Sequence, residues 1–445
     1  MKGSLATEYA HFQTLIKDSL QYAAQGGADA ADALVSKEWG FGVSARKGEL
    51  EEIEYHQEQG YSITVYCQQR TGSASTTEIR PEAILQTVDK ALSIARFTDP
   101  DPCGGLPHKE FLAYEYPDLD LYHDWQIDPI QAAEKAIACE AIAREQDKRI
   151  TESEGSDVST YSGMRVYGNT EGFLGGYPSS RHTISCSVVA KDKKDMQRDY
   201  EYTVARHPAD LQDVALVAQR AAQKTLQRLN PRTLKTQQCP VIFSSSQAKS
   251  VLGTFIGAIS GSALYRKSTF LVDHLGKKIF PDHIHIYEEP HLLGAMGSVP
   301  FDYEGVRVAT KDFVKEGVLQ NYVLNTYAAR RLGMQTTANA GGVFNLSISH
   351  SDMNLQAMLK AMHKGLLVVE LIGQGVRLMT GDYSKGVFGY WVENGEIQYP
   401  VDEITVAGNL RDMFAGIVAV GNDVDTRGSI RTGSIWVNNM TIAGS

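Results

Sequence analysis

The chain has 445 residues, 42% of them hydrophobic, so it can bury substantial cores, and its length predicts two to three domains. Its formal net charge of -10 argues against nucleic acid as a partner, because nucleic-acid-binding proteins usually carry a basic face. The five cysteines are widely spaced and form no Cys-x-x-Cys pair. This spacing indicates reduced thiols in the cytoplasm rather than a disulfide framework or a thiolate zinc site.

Neither a signal peptide nor a membrane span is predicted. Acidic and polar residues interrupt the apolar positions at the start of the chain, where a signal peptide needs a continuous apolar core. The most nearly membrane-like segment lies between Lys249 and Arg266 and has no charge, but it is shorter than the roughly twenty residues that a spanning helix needs. A buried helix explains it better, and we expect a cytoplasmic protein.

The first half of the chain alternates helical and strand patterns. Apolar residues at three- and four-residue steps predict helices over residues 8–25, 81–95, 128–146 and 211–229, with Asp128 as an N-cap. Short alternating runs predict antiparallel strands between them, with breaks at Lys47-Gly48-Glu49 and at Gln59-Gly60. The order of helix, strands and helix occurs twice, which suggests a duplication, although no repeat is visible in the residues. The predicted strands are 42–45, 50–55, 61–67, 70–77, 165–167, 183–190 and 200–205.

A polar stretch with a proline stop, residues 230–238, predicts the main domain boundary. The chain then divides into an α+β domain, residues 1–235, and a mostly β domain, residues 236–445, with a further break in the first near residues 99–126. Hairpin signals in the second domain are Lys315-Glu316-Gly317, Asn394-Gly395 and Asn438-Asn439, and helices are predicted over 247–264 and 355–363. The predicted fold class is α+β.

The segment 373–410 is the stretch around which the second domain is organised. Apolar residues alternate on both sides of Asn394-Gly395, which predicts a hairpin over residues 387–401. The turn just before it places a glycine, a carboxylate and two hydroxyls together, a composition suited to holding a backbone or ligand close, although an ordinary tight turn has the same composition. These four residues are Gly381, Asp382, Tyr383 and Ser384.

No metal motif is visible. A His-Glu-x-x-His helix would bring two imidazoles and a carboxylate to one face, as water activation on zinc requires, but the predicted helix over 246–263 contains no His, Glu, Asp or Cys. A fallback cluster is His283, His285 and His291 with Glu288 and Glu289. In a strand, positions 283 and 285 would face the same side, but a solvated strand edge is the simpler reading.

Three glycines and one arginine are further candidates. Gly253, Gly257 and Gly261 are four residues apart, so in a continuous helix they would share one face and let a neighbouring element or a partner subunit approach closely. The alternative is a broken helix in which the glycines mark kinks. Arg266 lies in a Tyr-Arg-Lys cluster that could meet a peptide carboxylate or an acidic partner surface.

The segments 373–414 and 421–437, with 257–271 and 294–305, resemble the PmbA (TldE) branch of the TldD/PmbA family of metalloproteases, also called modulators of gyrase. The resemblance implies a cytoplasmic zinc protease built from a TldD-like catalytic chain and a TldE-like chain, acting on unfolded or flexible peptides. It implies that the sister chain supplies the zinc and that this chain binds no metal or other cofactor. Residues 381–384 and the hairpin would then lie near a substrate channel or subunit contact.

Two other functions stay open. One is an autonomous metallopeptidase that uses the histidines at 283, 285 and 291. The other is a non-enzymatic regulator that binds peptides or proteins as a homodimer. The peptide substrate cannot be read from the sequence.

Overall fold

The computed structural model describes residues 3–444, and its N-terminal part consists of two consecutive units of helix, three strands and helix. The first unit contains α1 (Gly3–Gln25), β1 (Ala30–Arg46), β2 (Glu49–Cys67), β3 (Arg70–Thr76) and α2 (Pro81–Phe97). The second contains α3 (Pro129–Glu145), β4 (Ile150–Asn169), β5 (Leu174–Asp192), β6 (Asp195–Ala205) and α4 (Val214–Gln227).

The two units meet edge to edge and form one six-stranded antiparallel sheet. Its strand order is β3-β2-β1-β4-β5-β6, and β1 pairs with β4 along residues 32–45 of β1. Val35 and Val43 lie an even number of residues apart on β1, so they face the same side of the sheet. Val35 packs in the core beneath α1 and α2, and Val43 packs in the core beneath α3 and α4. All four helices therefore cover one face.

The helices predicted in this half are confirmed, and their ends have local causes. Asp128 is the N-cap of α3, where its side chain accepts a hydrogen bond from the backbone of Gln131 in a capping box. Pro81 opens α2 at a position where a missing N–H costs nothing. The helix α4 begins only at Val214, because Asp213 caps it, so the predicted start at residue 211 is wrong.

The strands are longer than predicted, and one predicted break is wrong. Gln59 and Gly60 lie inside β2, where they pair with Lys37 and Ser36 of β1. Long-range pairing with β1 overrides the local turn preference of this glycine. The break at Lys47 and Gly48 is confirmed, since both residues have positive φ in the turn between β1 and β2.

The connection between the two units, residues 98–128, covers part of the opposite face of the sheet together with the C-terminal half. Phe301 packs edge-on against Tyr116 and Phe173, with ring centroids 4.9 and 5.0 Å away. Gly305 lies against the same ring of Phe173, which a Cβ at this position would approach to 2.8 Å. Aromatic contacts thus attach the second half to the sheet.

The C-terminal half contains short elements around two further sheets. Its helices are α5 (Ser245–Ala258), α6 (Gly261–Tyr265), α7 (Thr326–Arg331), α8 (Leu355–Met362) and α9 (Leu410–Ala415). Its strands are β7 (Gln237–Phe243), β8 (Ile286–Glu288), β9 (Lys311–Lys315), β10 (Val318–Leu319), β11 (Leu346–Ile348), β12 (Gly365–Ile372), β13 (Val376–Arg377), β14 (Asp382–Glu393), β15 (Glu396–Asn409), β16 (Ile417–Val420), β17 (Ile430–Arg431) and β18 (Ile435–Ala443).

Five of these strands close into a barrel. Their order is β12-β7-β18-β15-β14, and β14 pairs with β12 again, which completes the ring. The smaller sheet has the order β10-β9-β8-β11-β17. The largest core connects the barrel with α5 and α9 through side chains such as Phe243, Phe255 and Phe414. Closure satisfies the strand edges inside the barrel.

Two of the three predicted hairpin turns are confirmed. Asn394 and Gly395 both have positive φ between β14 and β15, and Glu316 and Gly317 have positive φ between β9 and β10. The third prediction is wrong, because residues 438–439 lie within β18. They form a bulge where the pairing of β18 with β7 shifts register, so two polar residues mark an irregularity and not a turn.

The fold class is α+β, as predicted. The six-stranded sheet uses residues 30–205, and the barrel begins at β7. A division into domains at residues 235 and 236, with a further break near 99–126, stays a prediction.

Closure of the barrel makes Gly389 a sensitive position. It lies on β14 opposite Val368 of β12, and a Cβ there would lie 2.3 Å from the carbonyl oxygen of Leu367. We expect Gly389→Ala to lower the free energy of unfolding by about 1–3 kcal/mol, because the two backbones must separate. Gly428→Ala is the control, since no atom lies within 4 Å of its added Cβ. Equal urea midpoints for the two variants would contradict the closed ring.

Candidate functional site

Helix α5 presents a half-buried polar face beside the barrel. The helix follows β7, and Val251, Leu252 and Phe255 bury its other face in the main core. The polar face carries Lys249, Ser250, Gly253, Thr254 and Gly257, none of which is fully buried.

The helix predicted over residues 247–264 is broken, and this corrects the expected glycine stripe. Helix α5 ends at Ala258, and α6 begins after Ser260, whose side chain accepts a hydrogen bond from the backbone of Ala263. Between them, Ser260 bridges to Val323. A serine N-cap favours a new helix start at this position.

Only one of the three glycines needs its missing side chain for packing within the described chain. A Cβ on Gly261 would lie 2.3 Å from the Cβ of Ala328, so no larger residue fits. A Cβ on Gly253 would lie 3.8 Å from Ile430, and one on Gly257 would lie 3.6 Å from Leu378, both ordinary contacts. Gly253 and Gly257 therefore leave room above α5 that this chain does not use.

The segment before β14 is held by a local hydrogen-bond cluster. Gly381 has φ of +83°, and its missing side chain makes space for Asn409. The exposed Asp382 accepts a hydrogen bond of 2.6 Å from Thr380 Oγ1, and Asn409 donates to the Thr380 carbonyl at 3.2 Å. Ser384 is exposed, and its backbone N–H donates to Gly375 at 2.6 Å.

Tyr383 points inward, which corrects its placement among residues that face a substrate or partner. Its side chain is 2% exposed and packs edge-on against Phe243, with ring centroids 6.4 Å apart. Burial raises its pKa, and its hydroxyl has no hydrogen-bond partner within residues 3–444. The alternation of side chains along β14 sends Tyr383 into the core and leaves Asp382 and Ser384 outside.

The candidate arginine lies in a separate aromatic cluster at the C-terminal end of α6. The guanidinium groups of Arg266 and Arg331 lie 5.6 and 5.5 Å from the ring centroid of Tyr265. That ring packs edge-on against Tyr327, whose hydroxyl donates to Asp101 at 2.8 Å. Exposed cations stacked on an aromatic ring are suited to binding an acidic group.

The structure thus brings part of the predicted site together. Leu378 lies beside Gly257, and Lys385 Nζ lies 3.4 Å from Ser250 Oγ, so the segment around residues 381–384 borders the polar face of α5. We call this surface the α5 groove. It consists of Lys249, Ser250, Gly253, Thr254 and Gly257, with Leu378, Lys385 and Ile430 at its sides.

A chain of ion pairs, which sequence reasoning missed, joins the α5 groove to the six-stranded sheet. Lys249 Nζ lies 2.8 Å from Asp425 Oδ1, and Arg427 binds both oxygens of Asp425 at 3.0 and 2.9 Å. Arg427 also donates to Glu201 of β6 at 2.7 Å, and Glu201 pairs with Lys224 at 2.7 Å. The Asp-x-Arg spacing at 425–427 was visible, but its partner more than 200 residues away was not.

The cations that contact Asp425 and Glu201 determine the direction in which the pKa values of these two acids shift. Burial alone would raise the pKa of the Asp425 carboxyl, but its contacts with Arg427 and Lys249 outweigh burial and lower it strongly. The pKa of Glu201 is lowered in the same way, against its burial, by Lys224 and Arg427. Both carboxylates are therefore ionised and fully engaged at neutral pH.

A second polar contact between the halves is acidic. Burial raises the pKa of Asp32 and of Asp302 to about 7, and the charge of Glu304 adds to both shifts. Asp302 Oδ1 accepts hydrogen bonds from the backbone of Glu304 and Val306, and Oδ2 accepts one from Ala340. Carboxyl groups with shifted pKa values can mark an active site, but the carboxyl group of Asp302 holds the backbone of a loop in place.

The fallback metal cluster does not form. His283 lies in a turn and not in a strand, so it does not share a strand face with His285, and His285 Nε2 is 2.7 Å from Asp312 Oδ1. His291 is exposed in the next turn, and Glu288 is bound by Lys311 and Asn339. Across residues 3–444, no three His, Cys, Asp or Glu residues are grouped so that they could hold a metal ion.

Among the helices of the described chain, none combines the length and the apolar character needed to cross a membrane.

Models of the PmbA/TldA metallopeptidase domains match most of the chain. Domain 1 matches residues 31–95, the central domain 122–229 and the C-terminal domain 236–444. The chain is 50% identical to "Metalloprotease PmbA" of Escherichia coli O157:H7 over 95% of this chain and 94% of that protein. It is 43% identical to "Metalloprotease PmbA homolog" of Haemophilus influenzae over 99% and 98% of the two chains.

Solved structures share the whole architecture. A Bacteroides thetaiotaomicron protein, described as a candidate modulator of DNA gyrase, superposes with a TM-score of 0.92 at 27% identity and covers 97% of this chain and 98% of its own. TldE from Thermococcus kodakarensis superposes with a TM-score of 0.81 at 20% identity, over 96% and 99% of the two chains, and shows the fold alone.

The three-sheet fold and these matches define the class: the chain belongs to the PmbA/TldD metallopeptidase family. Its near-complete similarity to the PmbA proteins places it on the PmbA (TldE) branch of that family.

Arg427 allows a direct test of the link between the halves. Arg427→Ala would leave Asp425 and Glu201, whose side chains are 6% and 8% exposed, without their shared cation. We expect the free energy of unfolding to fall by about 2–4 kcal/mol, near the lower end for a broken buried ion pair. The control Arg198→Ala breaks an exposed pair with Glu154 and should cost less than about 1 kcal/mol. Urea unfolding at pH 7 measures both, and equal losses would contradict the assigned role.

The same variant predicts a pH dependence. Asp425 and Glu201 have lowered pKa values in the folded protein, so their stabilisation is present above their unfolded values, near 4, and is lost as pH falls. The stability difference between wild type and Arg427→Ala should therefore narrow progressively below about pH 4. Unfolding curves of both proteins between pH 3 and pH 7 measure this stability difference. A difference that stays constant with pH would show that it does not come from these two carboxylates.

Proposed function

We propose that this chain is the TldE-type subunit of a two-chain zinc peptidase that degrades flexible or unfolded peptides. In this proposal a TldD-like sister chain carries the zinc, and this chain supplies a wall of the substrate channel and a subunit contact. The cytoplasm is the expected compartment, because the five cysteines within residues 3–444 are free thiols, as is usual in reducing surroundings.

The single observation that carries the proposal is the chemistry of the α5 groove. Zinc takes imidazole, thiolate or carboxylate ligands, whereas α5 offers Lys249, Ser250, Thr254 and two glycines. Asp425, the acid that contacts this face, is bound by Lys249 and by two nitrogen atoms of the Arg427 guanidinium group. These residues do not fit a zinc ion, so hydrolysis by a metal-bound hydroxide needs ligands from another polypeptide.

The hairpin formed by β14 and β15 offers little free edge to which a peptide could pair. β14 pairs with β15 and β12, and the outer side of β15 meets β18 and, at Val401, the segment around Arg232. The parts left for a channel or subunit contact are Asp382 and Ser384, which are exposed beside the α5 groove.

Reconstitution of the two-chain enzyme tests which chain carries the zinc and whether hydrolysis needs both chains. The purified chain is mixed with a TldD-like chain and zinc, and hydrolysis of a flexible, unstructured peptide is measured with each chain alone and with both. We expect activity from the mixture, its loss on chelation, and no bound zinc in this chain alone. Stoichiometric zinc and chelator-sensitive hydrolysis by this chain alone would overturn the proposal. A stable homodimer that does not bind the sister chain would instead favour a non-enzymatic regulator.

A glycine substitution tests the subunit contact. Gly257→Leu adds a side chain on the polar face of α5, where the added Cβ meets only Leu378 at 3.6 Å, an ordinary contact distance. We expect the variant to fold with near-normal stability but to bind the sister chain at least tenfold more weakly, because a close backbone approach is blocked. Gln223→Leu on the exposed side of α4 is the control. Co-elution during size exclusion measures assembly, and normal assembly of Gly257→Leu would exclude this face from the contact.

A further inference from the structure

The strand β2 has a long unpaired edge. β1 pairs with β2 along one side, but β3 reaches only residues 61–67 on the other side. Residues 49–60 therefore present main-chain N–H and C=O groups to solvent over roughly 40 Å at the usual rise of a strand. Nine of these twelve residues are exposed, and within the described chain no strand pairs with this side of the segment. Such an edge is a template for an additional strand.

Apolar side chains line the helix-covered face beside this edge. Tyr55 is 73% exposed and Ile53 is 38% exposed, and Tyr55 lies 6.1 Å from Phe41 between ring centroids. Phe41 and Trp39 continue into a groove of about 580 Å³ that residues 124–128 and Gln131 of α3 also line. Alternate residues of a strand added to the β2 edge would place apolar side chains beside Ile53 and Tyr55.

The opposite face of the same edge is acidic. Glu52, Glu54 and Glu58 point to it, and Glu58 lies directly opposite Glu38 of β1. Like charges in such a cross-strand pair are destabilising. His56 lies 3.8 Å from Glu58, but no lysine or arginine of the described chain is paired with any of these four glutamates. This face of the edge is therefore an acidic surface that could receive cationic side chains.

We propose that residues 49–58 of β2 form a docking edge for an extended segment of a partner protein in which lysines or arginines alternate with apolar residues. Main-chain pairing supplies affinity, the apolar side chains cover Ile53 and Tyr55, and the cations neutralise Glu52, Glu54 and Glu58. Charge excludes a second copy of this chain as the occupant, because two such edges would bring their glutamates together. The site is independent of the α5 groove and of any metal.

A labelled peptide tests the edge directly. The probe is a fluorescein-labelled peptide of about twelve residues that alternates lysine and valine, and anisotropy measures its binding to the full chain. Two N-methylated versions carry methyl groups on one or the other alternating set of amides. We expect one set to abolish binding and the other to preserve it, because only alternate amides face the pairing edge. Equal binding of both would overturn strand addition.

Charge variants test the acidic face. We expect Glu54→Lys/Glu58→Lys to weaken binding of the lysine-valine peptide about tenfold or more, since two attractive pairs become repulsive. The control Glu316→Lys/Glu396→Lys changes the net charge equally at exposed sites elsewhere and should bind like wild type. Tyr55→Ser should weaken binding without any change in charge.

Two results would overturn the proposal. One is equal affinity for a peptide that alternates glutamate and valine. The other is a concentration-dependent homodimer, seen by sedimentation, that Glu54→Lys/Glu58→Lys disrupts, since this would make a second copy the occupant of the edge.

Discussion

Arg427 lies between Asp425 and Glu201 and joins the surface beside α5 to the six-stranded sheet. One guanidinium satisfies a carboxylate beside α5 and another on the edge strand of the six-stranded sheet. Its five donors and permanent charge suit it to bridge two acids, which a lysine does less well. The α5 groove is therefore linked to the six-stranded sheet by a residue that belongs to neither the helix nor the barrel strands.

Local signals predicted the elements well, and long-range pairing explains what they missed. The N-cap Asp128 and the turn at Asn394 and Gly395 depend on residues next to them in the chain, so the sequence was sufficient. Gly60 and Asn438 also carry turn signals, but pairing with distant strands overrides them. Barrel closure between β12 and β14 leaves no local pattern, because it depends on pairing along both strands, which the missing side chain of Gly389 makes possible.

The candidate site was predictable as a neighbourhood but not as a set of side chains. The glycines of α5 and residues 381–384 were each expected to face a substrate or partner, and Leu378, just before β14, does lie beside Gly257. The inward direction of Tyr383 follows from strand parity, which could be assigned only once the start of β14 was known. Lys249 and Glu201 were missed because an ion pair between distant residues has no sequence pattern of its own.

The shared sheet of the two N-terminal units has a consequence for how this family is divided. The models for domain 1 and the central domain match residues 31–95 and 122–229, yet β1 and β4 are hydrogen-bonded neighbours at the centre of a single sheet. Cutting the chain between the two matches would leave β1 and β4 each with an unpaired edge, which is prone to aggregation. The two segments that the family models match separately are therefore two halves of one sheet.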